Sequence, residues 1–188
     1  MNNKLFDQKK VKELLSKVKN IQTGNKLDLS SGEDLSVAIM NLIGIEEHMF
    51  FTAAKTGKIK YLDVLNEVRL MRTKLMKTLV KDYEGEVWCI SKHLLAATMR
   101  LNEVGTKSLK NGKKKEAADL FQMAYQLYSL FWGLNLGVVK NKELKADLAK
   151  MGFSANEFID SKKIIQKKGG LFAKLGELVK KAIDCCIE

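Results

Sequence analysis

Two charged side chains of this sequence fall where a helical core would be apolar. Glu46 lies in a stretch where Leu35, Ile39, Leu42, Met49, Phe50 and Ala53 project within about 60° of it at helical periodicity. Arg72 shares its face with Tyr61, Leu65, Val68, Leu75 and Leu79 of the next helical stretch. A charge removed from water must be paired or neutralised. The chemistry open to this pair is therefore carboxylate–guanidinium bonding, anion recognition or metal ligation.

Turn arithmetic extends the pair into an expected layer. A hairpin centred near Thr56 to Lys60 sets Glu46 level with Leu70, within reach of Arg69 and Arg72. A second turn near residue 85 sets Arg72 level with Ala97 or Thr98, beside Arg100. The following turn brings Tyr125 and Tyr128 to the same height. Glu46, Arg69, Arg72, Arg100 and Tyr128 are thus expected together at mid-bundle. Such a layer would fix helix register as a buried ion pair. With several arginines against one carboxylate, it would alternatively hold a small anion, because a planar guanidinium suits bidentate carboxylate or phosphate binding.

A divalent metal of the iron or manganese type is the alternative, since helical bundles host carboxylate-rich metal centres. Glu46, Glu67 and His93 are the candidate ligands. The Glu-x-x-His spacing of the carboxylate-bridged centres is missing: His48 directly follows Glu46 and Glu47, and Ile90 stands three residues before His93. Without that metal, no cofactor is expected. Cys89 and His93 are four residues apart and could meet on one helix face, where the histidine would activate the thiol. A regular helix interior offers no free N–H groups for an oxyanion hole, so no catalytic residue is assigned.

The elements that must carry these residues read as long helices. Proline is absent from the 188 residues and 46% are hydrophobic, which suits uninterrupted helices around a real core. Apolar periodicity and glycine punctuation predict helices from about 31 to 56, 58 to 83, 86 to 110 and 113 to 136. The glycines that stop them are Gly57, Gly85 and Gly112. Four such helices with short turns predict an all-α, up-down-up-down four-helix bundle over 31–137. Residues 1–30 form an additional N-terminal helix and linker. Residues 138–188 form a helical extension, with short helices near 141–150 and 155–167, a Gly169-Gly170 hinge and a last amphipathic helix.

The charge is uneven. Residues 1–30 carry 7 Lys against 3 acids, residues 31–137 carry 15 basic against 12 acidic groups, and residues 138–188 carry 11 Lys against 7 acids, within a net charge of +11. Lysine-rich flanks of this kind can contact nucleic-acid phosphates. The stretch Lys145 to Ile159 has a helix–glycine–helix outline, but its second helix offers no arginine to read base edges. In the last helix Leu171, Phe172, Leu175, Leu178, Val179, Ala182 and Ile183 share one face, opposite Lys174, Glu177, Lys180, Lys181 and Asp184. That near-neutral polar face does not read as a membrane-surface helix; it reads as a docking helix, on its own bundle or on a second subunit.

Cys89, Cys185 and Cys186 show no metal-ligand spacing and no disulfide framework. Together with an amino terminus that has no apolar leader, this points to the cytoplasm. The sequence reads as a helical binding or interaction protein rather than an enzyme. Self-association through the last helix is expected, with a small anion as ligand in the arginine layer. A metal-binding bundle is the alternative, and a basic nucleic-acid-binding protein the further one.

Overall fold

In the computed structural model, residues 9–13, 15–16, 30–80, 86–139, 175–177 and 179 are described. Four long helices make up most of them: α1 (Ser30–Thr56), α2 (Lys60–Leu79), α3 (Glu86–Lys110) and α4 (Lys114–Asn135). Residues 9–13 and 15–16 are also helical, as are 175–177 and 179. The all-α, up-down-up-down arrangement read from the sequence is the one found. The expected short helices near 141–150 and 155–167, the Gly169-Gly170 hinge and the Lys145–Ile159 stretch lie outside the described residues.

Gly57 and Gly112 end helices where the sequence placed them, while Gly85 lies outside the described residues. Gly57 adopts a φ of 65° after α1, and Gly112 a φ of 76° between α3 and α4. Both conformations strain any residue bearing a Cβ. The Gly57 N–H still closes the last turn of α1 on Ala53 O at 2.8 Å. The α2 helix stops at Leu79, a turn earlier than expected, because Val80 is extended (φ −96°, ψ 103°) and its side chain is fully buried.

The helices pair as two antiparallel hairpins, α1 with α2 and α3 with α4, and α1 also meets α3. The core gathers at one end of this assembly. It draws on the start of α1 (Ile39, Met40), the end of α2 (Met76, Val80), the start of α3 (Leu94, Leu95) and the end of α4 (Leu130, Phe131, Trp132, Leu134). The Phe131 and Trp132 rings pack edge to face at 5.3 Å, and the Tyr128 ring stacks on Phe131 at 6.4 Å.

Segments from both flanks cover this end. Leu175 and Val179 are buried in the core, and Val11 packs against it. Leu175 sits so close over Gly133 that an added Cβ there would lie 2.7 Å from its Cδ1. The Tyr125 hydroxyl donates to Gly176 O at 3.2 Å. The docking face expected of the last helix is thus seated, at Leu175 and Val179, on the chain's own bundle.

The hairpins meet at the core end. Ser36 bonds to Tyr128, and the Thr98 hydroxyl lies 3.4 Å from Ala124 O, which sets Tyr128 opposite about Leu94. Farther along, Gly44 faces Met99, and Glu47 pairs with Arg100 at the surface.

Candidate functional site

Glu46 on α1 and Arg72 on α2 meet inside the first hairpin. The Arg72 Nε donates to Glu46 Oε1, and its Nη2 lies 3.4 Å from Oε2, a fork-to-fork arrangement. The Arg72 side chain is 4% exposed and that of Glu46 16%. The remaining Arg72 nitrogen, Nη1, points at the Met76 sulfur at 3.4 Å. The pair is therefore electrically closed, with its guanidinium donors turned toward protein.

The other members of the expected layer are placed elsewhere. Arg100 is exposed on α3 and bonds to Glu47, the neighbour of Glu46, and to Glu103 at 2.6 Å. Its guanidinium is held above its ordinary range by the Glu47 hydrogen bond and charge. Lys107 completes the surface network at 2.8 Å from Glu103, and its hydrogen bond and charge hold that carboxyl below the usual carboxylate range. Arg69 lies on the exposed side of α2. Tyr128 is half-buried one level deeper, its hydroxyl 2.7 Å from Ser36 Oγ. Consecutive residues of a helix project about 100° apart, so α1 turns Glu46 to α2 and Glu47 to α3.

Of the candidate metal ligands, Glu46 is taken by Arg72, while Glu67 and His93 are exposed on α2 and α3. Among the described residues no three His, Cys, Asp or Glu side chains are grouped to hold a metal ion. Cys89 is exposed, as is His93 one turn on. An open depression of about 730 Å³ lies beside the second turn, lined by Lys113, Lys114, Lys115, Glu116, Asp119 and Met123 among others. Two of these side chains are engaged with each other: Lys113 lies 3.3 Å from Glu116, which also accepts from Ser108.

The feature that sequence reasoning missed is the tip of the first hairpin. Phe50, Phe51 and Ile59 are 55%, 57% and 74% exposed, and Leu62 and Val64 nearly half. Phe50 belongs to the stripe that was expected to be buried around Glu46. It is bare because it lies beyond the buried core, whose members on α1 are Ile39 and Met40. The two phenyl rings pack on each other, edge to face at 5.2 Å. A signal was present in the sequence: the run from His48 to Leu62 contains Phe50, Phe51 and three lysines and no acid. Comparison with family models, curated proteins and solved structures returns no match. No helix among the described residues is long and apolar enough to cross a membrane.

Proposed function

We propose that this protein is a helical-bundle interaction protein, with the tip of the α1–α2 hairpin as its contact surface. The observation that carries this reading is the exposure of Phe50, Phe51, Ile59, Leu62 and Val64 around one turn. Scattered exposed apolar side chains are ordinary, but a contiguous group marks an interaction surface. The Glu46–Arg72 pair then serves as the rigid strut beneath the tip, holding α1 in register with α2.

The geometry favours this over a small-anion pocket. Arg72 directs its donors to Glu46 and Met76, and Arg100 its own to Glu47 and Glu103. A ligand anion would have to displace carboxylates already in place.

A photoreactive benzoyl-phenylalanine at position 51, in cells producing the full chain, tests the reading. It is expected to give discrete adducts that the same group at exposed Lys115 does not give. Absent adducts, or the same adducts from both positions, would end the proposal.

A further inference from the structure

We infer that the tip of the α1–α2 hairpin docks on an anionic phospholipid surface, seating its apolar side chains among the lipid headgroups and its lysines on their phosphates. This rests on the contact-surface reading above and names the partner. Exposed large apolar residues run along both helices of the hairpin, including Val37 and Ile45 on α1 and Leu70 and Met71 on α2, and they are densest around its turn. Phe50 and Phe51 come from the last turns of α1, Ile59 from the turn itself, and Leu62 and Val64 from the first turns of α2. They flank the turn at the end of the hairpin away from the buried core.

Charge complementarity makes the same case. Lys55, Lys58 and Lys60 interleave with these residues and all three are exposed, against the single acid Asp63 between Phe50 and Val64. Among the described residues none of the three is in an ion pair; Lys60 lies 5.4 Å from the centre of the Tyr61 ring. Apolar and aromatic side chains beside an excess of lysine are the composition of interfacial membrane anchors. The negative potential of an anionic leaflet attracts each lysine held close to it.

The second hairpin turn is an internal contrast. It is also lysine-rich, with Lys107 and Lys113 paired to Glu103 and Glu116 and Lys110, Lys114 and Lys115 exposed, but its exposed large apolar residues are only Val104 and Leu109, neither aromatic. Charge without a cluster of apolar side chains would give weak, salt-sensitive contact.

The test is flotation of the full chain with phosphatidylcholine vesicles, with and without phosphatidylserine. Binding is expected only when phosphatidylserine is present. Phe50→Ser with Phe51→Ser, or Lys55→Gln with Lys58→Gln and Lys60→Gln, should each weaken it, the triple lysine change on the order of 100-fold. Lys113→Gln with Lys114→Gln and Lys115→Gln removes the same charge and should leave binding within a factor of about 3. A Phe51→Trp chain, which deletes nothing, should have its added fluorescence quenched by brominated acyl chains. Failure to float, equal loss in the second-turn variant, or no quenching at position 51 overturns the inference. So does a dimer in sedimentation equilibrium that Phe50→Ser with Phe51→Ser abolishes, which would assign the tip to a second copy. Protein adducts from position 51 without vesicle binding would overturn the lipid assignment and leave the contact surface standing.

Discussion

Adjacent glutamates on α1 have opposite energetic roles. Glu46 faces Arg72 in a closed, nearly dry pair, and Glu47 faces Arg100 in water. Removing one partner of a buried pair leaves the other uncompensated, at a cost of roughly 3–5 kcal/mol. Glu46→Ala should therefore lower the melting temperature on the order of 10 °C. Replacing both, Glu46→Leu with Arg72→Met, should recover most of that loss, because an apolar pair of similar volume needs no compensation. Glu47→Gln breaks an exposed pair and should cost less than about 1 kcal/mol. Thermal melts of the three variants check the ordering, and equal effects of Glu46→Ala and Glu47→Gln would remove the buried pair from the account. The Glu46–Arg72 contact was legible from the sequence because a single tight turn fixes the register within a hairpin. The place of Arg100 was not, since periodicity says which face a residue takes but not the angle at which two hairpins cross.

At the scale of elements, the segment around Leu175 and Val179 closes the core end. Periodicity gave its apolar face, and the structure supplies the seat: Gly133 on α4, where an added Cβ would lie 2.7 Å from Leu175 Cδ1 and 3.0 Å from Val139 Cγ2. Gly133→Ala should push the segment outward and be seen as faster proteolysis of the carboxyl-terminal region. Leu175→Ala should destabilise by about 2–5 kcal/mol through lost burial and a residual cavity. In the double variant the new methyl group occupies part of the space the leucine vacates, so the two costs should fall short of additivity. Strict additivity in a double-mutant cycle would show that Gly133 and Leu175 do not share a contact. Nothing in the sequence singled out Gly133 for this role. A glycine that admits a neighbour looks in sequence like one that admits only a backbone turn.

For the whole molecule, the uneven distribution of its core sets how it moves. Ile39, Met76, Leu95 and Phe131 are fully buried at one end, where all four helices and both flanking segments converge. The buried core takes no residue from around the first turn, where residues 54–60 are exposed throughout. Sequence patterning placed Phe50 in the apolar stripe around Glu46. It could not show that burial ends before Phe50, because periodicity gives the face a residue takes and not how far along a helix its neighbours cover it. Local opening follows the density of buried apolar contacts. Amides of Ile39, Leu95 and Phe131 should therefore exchange with solvent only through global unfolding, and their protection should fall in step with added denaturant. Amides of Phe51 to Thr56 and Tyr61 to Val64 should exchange through a smaller opening that is nearly independent of denaturant. A graded tip on a rigid base lets side chains at residues 50–64 rearrange against a partner without disturbing the core. Equal protection along the length of α1 would mean instead that the hairpin tip is as fixed as the core, and that its exposed phenylalanines are presented as a rigid surface.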